Sequence, residues 1–385
     1  MAATRQRGKG YEIRVSLGYD VNGKKLSRSM MWTPAPGMTA RQIEKELERQ
    51  KVLFEEQAQR GLVMSGSLRF ADFADLWLKE YSAKNHSPTT HARYIDLLKR
   101  INAAIGHIKL DRLRPNHLMA FYSDMEEQTN LSPKTIQHHH RLISAMLNTA
   151  VKWQVIPDNV AARVAPPKVI KHEAQFMEED TVIRVFDLLE QEDVKHRTMI
   201  YLLLYTGMRR GELCGLEWHD IDWTSGTIKI ERTSQYIAGQ GIITKPPKTA
   251  SGTRTVSVPP TVTQLLKHYR AWQSEEHLKI ADRWQDGDRL FTQWDGKPIH
   301  PDTVSQWFDS FLKRHDLPHV TLHEIRHTNA SHLIGNGVDV RTVAQRLGHS
   351  QVSVTLNTYA HSVKAAEQAA AVTLENSWNA KRADA

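Results

Sequence analysis

The chain has 385 residues, 40% hydrophobic and 24% charged, with 51 Lys and Arg against 43 Asp and Glu and a formal net charge of +8. That length exceeds what one hydrophobic core serves and predicts two or three domains. The basic excess, with a pI of about 9.4, points to a polyanionic partner, nucleic acid ahead of a membrane surface. A single cysteine, Cys214, excludes an internal disulfide framework and fits a reducing cytoplasm. No uncharged run approaches a membrane span; the longest candidate, 198–208, predicts a buried core helix. The N-terminus has no apolar stretch of the signal-peptide kind, so a cytoplasmic location is expected.

Residues 1–30 carry Arg5, Arg7, Lys9, Arg14, Lys24, Lys25 and Arg28 against Glu12 and Asp20. "YEIRVSLG" alternates as a strand, Asn22-Gly23 signals a hairpin, and "LSRSMMW" returns as a second strand. A charged helix is predicted over 39–60. A small basic sheet with a helix suits DNA; a solvated hairpin is the plainer alternative.

Residues 60–67 read as a linker, and helical patterns fill 70–153. Two helices are predicted to start at Ser-Pro, with Ser87 or Ser132 as N-cap and Pro88 or Pro133 at the first helical position. In the second, Leu142, Met146, Leu147 and Val151 share one face, with Lys134, His138 and Arg141 elsewhere. A bundle of about four helices follows. The run His138-His139-His140 cannot converge on one metal ion, because successive helical residues point about 100° apart; a solvated or phosphate-facing strip is expected. The stretch 156–173, with Pro157, Pro166 and Pro167, reads as an interdomain linker. Beyond it come helices near 178–190 and 196–216, a β-hairpin region over 226–258, and helices from 260 to an exposed terminal helix at 365–375.

Four pieces of the C-terminal region carry chemistry. In "YTGMRRGELCGLEW" Gly207 ends an apolar helix and Arg209 opens the next, beside free backbone N–H groups that suit a phosphate, with Glu212 one turn on to orient it. In "KPPKTASGTRTVSVP" Lys248 precedes a turn and a strand, where a mobile lysine can act as an acid. In "TLHEIRHTNASHL" His323 and Arg326 share a helix face. In "AQRLGHSQVSVTLNTYAH" His349 follows Gly348, and Tyr359 lies ten residues later.

The third piece also spells H-E-x-x-H, the zinc-protease pattern. That chemistry needs a third ligand. Ala330 and Leu333 stand where the extended motif has Gly and His, His332 is out of register, and Arg326 sets a cation against the metal. Taken together, two arginines, a lysine, two histidines and a tyrosine instead compose a site for phosphodiester transesterification. Guanidinium forks neutralise the equatorial oxygens of the transition state. A tyrosine hydroxyl, with an ordinary pKa near 10, serves as nucleophile when a base or local positive charge assists it. A lysine supplies the proton for the departing oxygen.

This ordered set resembles the tyrosine recombinase family, the integrases of phages and conjugative transposons. The family pattern of Arg, Lys, His-x-x-Arg, His/Trp and Tyr falls on Arg209, Lys248, His323 with Arg326, His349 and Tyr359. "TGMRRGEL", "LHEIRHTNAS" and "LGHSQVSVTLNTYAH" match around them. Glu324-Ile325 departs from the family's usual acidic residue, Asp, at this place, and Lys245 lies close to Lys248. The resemblance implies a mainly α fold with small β-sheets. An arm-site DNA-binding module of sheet plus helix at 1–62 precedes a core-site-binding four-helix bundle at 67–160 and an α+β catalytic domain at 172–385. It implies that Tyr359 attacks DNA to form a 3′-phosphotyrosyl link, Arg209 and Arg326 hold the phosphate, His323 takes the tyrosine proton, His349 hydrogen-bonds the phosphate, and Lys248 protonates the leaving 5′-oxygen. No cofactor or metal is expected, and no G-x-x-x-x-G-K-[ST] loop is present. The implied partners are double-stranded DNA with core and arm sites, a homotetramer on DNA, an excisionase and a host DNA-bending protein, with no membrane. His327 is expected to pack behind the site. A type IB topoisomerase and a non-catalytic DNA-binding regulator are the rival readings; the basic N-terminal module and the filled catalytic positions favour the recombinase.

Overall fold

A computed structural model describes residues 2–19, 23, 25–59, 68–127, 131–170, 176–247, 249–285 and 287–358, together with Glu375, Asn379 and Arg382. The Asn22-Gly23 turn, the 60–67 linker and the 365–375 helix fall wholly or largely outside them. The chain divides into two compact units, Met1–Lys171 and His172–Ala385.

The first unit opens on an antiparallel meander of β1 (Ala3–Arg7), β2 (Gly10–Tyr19) and β3 (Lys25–Trp32). Alternation along β2 turns Ile13 and Val15 inward, where they meet Phe54 and Leu47 of helix α1 (Ala40–Gln59). Reading periodicity alone yields two strands here. β1 escapes it because ATRQR has no apolar alternation and is exposed along its whole length.

The rest of this unit is a helix bundle with its own core. α2 (Phe70–Trp77) buries Phe70, Phe73, Ala74 and Trp77 at helical spacing, then continues through a π-helical turn, Leu78–Ser82. α3 (Pro88–Ile105), α4 (Pro115–Glu127) and α5 (Pro133–Lys152) complete the four. Ser87 and Ser132 cap α3 and α5, accepting from the backbone N–H of Thr90 and Thr135, and proline follows each cap as predicted. The predicted stripe of α5 packs inward, with Leu142, Met146 and Leu147 buried and Val151 partly so.

Two expectations fail here. The three histidines do not form one strip: His138 is half-buried at the surface, while His139 is buried against Phe121 with Nδ1 2.9 Å from the Thr135 carbonyl. His140 pairs with the Tyr122 hydroxyl at 3.0 Å. Steps of about 100° spread adjacent residues over the inner and outer faces, and inward positions take whatever side chain finds a partner. The supposed linker at 156–173 likewise begins inside the bundle, because Ile156, Ala161 and Val164 lie in its core. Prolines break periodicity without removing apolar anchors.

The second unit contains α6 (Glu179–Leu189), α7 (Val194–Thr206), α8 (Arg210–Leu213), a small sheet in the order β4 (Ile221–Asp222), β5 (Thr227–Ile230), β8 (Arg254–Ser257), and a hairpin of β6 (Thr233–Ile237) with β7 (Gly241–Lys245). α9 (Pro260–Ile280), α10 (Pro301–Arg314), α11 (Leu322–Gly335), α12 (Val340–Leu347) and α13 (Val352–Thr358) follow. α7 is buried on every side from Thr198 to Leu204 and packs against α9 and α11, the predicted core helix. As expected from the sequence, the helical stretch over 196–216 breaks at Gly207, whose φ of 62° is left-handed, and a new helix opens after Arg209. A Cβ at Gly207 would sit 2.6 Å from Leu347 Cδ2 and 2.8 Å from Asn329 Oδ1, so only glycine fits. No described helix is long and apolar enough to cross a membrane.

Candidate active site

Arg209 occupies the N-cap of α8 immediately after the Gly207 turn. Glu212 on α8 accepts from the Arg209 backbone N–H at 2.9 Å and from its Nη1 at 2.7 Å. Glu212 thus orients the arginine, as its spacing suggests, and in doing so takes up an N–H at the start of α8. The Arg209 guanidinium itself stays 44% exposed.

The Glu212 side chain is only 4% exposed and bridges a second arginine: Arg254 Nη2 donates to Oε2 at 2.8 Å. Burial alone raises a carboxyl pKa, but the Arg254 and Arg209 pairings outweigh it and hold Glu212 below its ordinary value. Arg254 also donates from Nε to the Arg346 carbonyl at 2.6 Å, which ties β8 to α12. Sequence reasoning passed over Arg254. A signal existed, since residue 254 falls on the same face of β8 as buried Val256, and an arginine on a core face needs a partner.

α11 supplies the next pair. Arg326 is 2% exposed, and its Nη1 and Nη2 donate to the carbonyls of Gly207 at 2.8 Å and Leu347 at 2.6 Å. His323, one turn earlier, reaches the surface with its ring packed edge-on against His327. Met208, Arg209, His323 and Arg326 line one cleft of about 370 Å³. A second, of about 380 Å³, is lined by Arg209, Glu212, Gln235, Pro247, Thr249 and His349. Arg209 borders both, so the structure brings Arg209, His323, Arg326 and His349 into one electropositive neighbourhood. His349 follows Gly348 (φ 68°), the left-handed stop of α12, and its Nδ1 lies 2.8 Å from Thr355 Oγ1. Lys248 and Tyr359 lie outside the described residues; Pro247 and Thr249, on either side of Lys248 in the chain, line the second cleft. Lys245 sits on β7 opposite Thr233.

Burial first, and then the field of this cluster, favours the uncharged form of its imidazoles. Partial burial, then Arg326 and Arg209, lowers the His323 pKa. Burial followed by Arg326, Arg209 and Arg254 takes His349 down to about 4. His327, edge-on to His323 with ring centroids 4.7 Å apart, also falls to about 4 through burial, His323 and Arg326. Arginines supply fixed positive charge while neutral rings remain able to accept or donate a proton.

The glutamate of H-E-x-x-H has another task. Glu324 Oε2 accepts from the Thr321 N–H at 2.7 Å, and Thr321 Oγ1 accepts from the Glu324 N–H at 3.3 Å, a capping box that starts α11. Among the described residues, the groups of three metal-competent side chains centre on His219, with Glu217 and Asp288 or with Asp220 and Glu231. Arg232 pairs with Glu217, Asp220 and Glu231 and occupies that cluster as its counter-ion.

Outside the second unit, Thr89, Thr90, Arg93, His138 and Arg141 line a cleft of about 340 Å³ on α3 and α5. Partial burial, then Arg93, Arg141 and Lys134, lowers the His138 pKa, a further sign of concentrated positive charge.

Comparison with known proteins bears on both units. The sequence profile of the phage integrase family matches residues 175–366, and that of the phage integrase N-terminal SAM-like domain matches 69–126. A tyrosine recombinase XerC-like protein of Caldanaerobacter subterraneus is 26% identical over 387 aligned residues, covering 95% of this chain and 96% of the relative. The ICEBs1 integrase of Bacillus subtilis is 24% identical, covering 91% and 93%. Among solved structures, the Tn1549 transposon integrase in complex with transposon right end DNA superposes with a TM-score of 0.66 at 22% identity, over 78% of this chain and 98% of that one. A lambda integrase dimer bound to a core site gives 0.57 at 16%, over 92% and 94%.

Proposed function

The chain belongs to the phage integrase family and is a tyrosine-type site-specific DNA recombinase, and from that premise we propose that Tyr359 cuts and rejoins DNA in the clefts that meet at Arg209. The observation that carries this reading is the convergence of Arg209, Arg326, His323 and His349 from separate elements on clefts whose charge is fixed and positive.

The Tyr359 oxygen attacks the scissile phosphorus as its proton passes to neutral His323. The new bond is a 3′-phosphotyrosyl ester, and the P–O5′ bond breaks. Lys248 protonates the departing 5′-oxygen. Arg209 and Arg326 neutralise the non-bridging oxygens, and His349 adds a hydrogen bond. Attack by the 5′-hydroxyl of a partner strand reverses these steps. The phosphotyrosyl ester conserves the energy of the broken phosphodiester bond, so the exchange needs no ATP. The biological outcome is integration and excision of a mobile element in the bacterial cytoplasm.

The bundle cleft with Arg93, His138 and Arg141 is suited to the phosphate backbone of a core site. Residues 1–62 serve as an arm-site module, 67–160 as the core-site module and 172–385 as the catalytic domain. Four copies act on two duplexes through a Holliday junction, a reading supported by the lambda integrase tetramer bound to such a junction; an excisionase and a host DNA-bending protein set direction.

A nicked suicide DNA carrying the core site traps the intermediate. The adduct is expected to survive SDS, to form in EDTA, and to be absent with Tyr359→Phe; an adduct on the Phe variant would remove Tyr359 from the reaction. Deleting residues 1–60 is expected to abolish arm-site binding and leave cleavage of an isolated core site intact. Loss of that cleavage would show that the module is no separable arm binder.

A further inference from the structure

His349 Nδ1 lies 2.8 Å from the hydroxyl of Thr355, and Thr355 is fully buried. Thr355 belongs to α13, whose last residue, Thr358, immediately precedes Tyr359 in the chain. We propose that Thr355 is a positioning residue for the strand-cleavage step: its hydroxyl donates to Nδ1 and so holds His349 in the Nε2–H tautomer, the form that can donate to a phosphate oxygen. The inference rests on the phosphate-binding role given above to His349.

The chemistry leaves two arrangements. A neutral imidazole has one N–H and one lone pair. The hydroxyl of Thr355 can accept or donate, so the pair is compatible with either tautomer when the cleft is empty. With a phosphate present the two differ. If Nδ1 carries the proton, the lone pair of Nε2 remains for the cleft and repels the anion. If Thr355 donates, Nε2–H remains for the cleft and binds it. Burial, followed by Arg326, Arg209 and Arg254, favours the neutral ring, so tautomer choice is the available control. The hydroxyl is buried, away from solvent that would otherwise compete for Nδ1. The same bond joins the loop after α12 to the helix that leads into the nucleophile, so the orientation of His349 and the seating of α13 change together.

Single-turnover cleavage of nicked suicide DNA by the full chain tests this. Thr355→Val, which keeps the shape and removes the hydroxyl, is expected to slow cleavage about tenfold, the value of one hydrogen bond, with DNA binding in gel shift unchanged. Thr355→Ser is expected to restore the rate. In a His349→Trp background, which has no such bond to lose, Thr355→Val is expected to cause no further loss. An equal loss in that background, or a wild-type rate for Thr355→Val, overturns the proposal. Two-bond 15N–1H spectra of the wild-type chain, with His349 assigned by comparison with His349→Trp, are expected to show Nε2–H; an Nδ1–H tautomer overturns the proposal whatever the folding of the variants. Slow cleavage by His349→Ala together with a normal Thr355→Val removes only the positioning role. Full activity of His349→Ala removes the phosphate-binding role beneath it.

Discussion

Two histidine-bearing helices, α5 in the bundle and α11 in the second unit, obey different rules. α5 buries one side: Ile136, Leu142, Ile143, Met146 and Leu147 face the core, while Lys134 and Arg141 stay outside. α11 is buried nearly all round, and half of what it buries is polar: Arg326, Thr328, Asn329 and Ser331 beside Leu322, Ile325, Ala330 and Ile334. Buried polar groups are tolerated when paired, and those of α11 reach distant segments. Arg326 holds Gly207 and Leu347; Thr328 Oγ1 accepts from the Met177 N–H at 2.9 Å; Asn329 Nδ2 donates to the Leu204 carbonyl at 2.7 Å; His332 Nε2 pairs with the Met177 carbonyl at 3.0 Å. An apolar stripe marks a helix that packs. Polar residues where a stripe would require apolar ones mark a helix that connects, and here the connector carries two residues of the proposed site.

If that distinction is right, substitutions in the connector and its partners cost far more than equal substitutions in α5. The largest effect is expected for Arg326→Ala. It strands the Gly207 and Leu347 carbonyls in the interior and opens a cavity, a loss of about 3–5 kcal/mol by urea unfolding, and it lowers cleavage by on the order of a thousandfold. A stability near wild type would show that the two carbonyl bonds do not hold the turn and α12 together.

Next comes Glu212→Gln, which leaves Arg209 and Arg254 without their shared anion; about 2–3 kcal/mol is expected. The pH dependence sharpens the test. Because the folded-state pKa of Glu212 lies below its ordinary 4.5, its stabilisation is fully present above that value and is lost as pH falls through the folded value. The gap between wild type and Glu212→Gln is therefore expected to close in acid. A gap that stays constant down to pH 2 would mean that the carboxylate charge is not what stabilises the pair of arginines.

The smallest effects belong to α5. His139→Phe removes one hydrogen bond to the Thr135 carbonyl and keeps an aromatic ring beside Phe121, so about 1 kcal/mol is expected. His138→Ala, at the surface, is expected to change stability by less than about 0.5 kcal/mol. Comparable losses at 138 and 139 would erase the inside–outside division of that helix.

Much of the architecture follows from local physics. The Ser-Pro caps of α3 and α5, the apolar stripe of α5 and the buried α7 are set by side-chain geometry within a few residues, so the linear pattern locates them. Polar β1, the apolar anchors at 156–164 and the separate fates of His138, His139 and His140 depend on neighbours far along the chain, and no local period encodes them. Of the candidate residues, Arg209, His323, Arg326 and His349 line the two clefts. Arg254 was missed because its partners, Glu212 and the Arg346 carbonyl, are 42 and 92 residues away.

H-E-x-x-H shows where the division lies. The sequence by itself determined that His323 and Arg326 share a helical face, since the 3.6-residue turn requires it, and it set out the order of candidate groups from Arg209 to Tyr359. Only the tertiary structure decided what the glutamate and the arginine do. Glu324 turns back to close the Thr321 capping box, because the first turn of α11 has N–H groups without partners. Arg326 enters the interior, because the turn at Gly207 and the end of α12 bring two carbonyls within reach of one guanidinium. Spacing along a helix fixes direction; burial and long-range partners fix protonation, orientation and use.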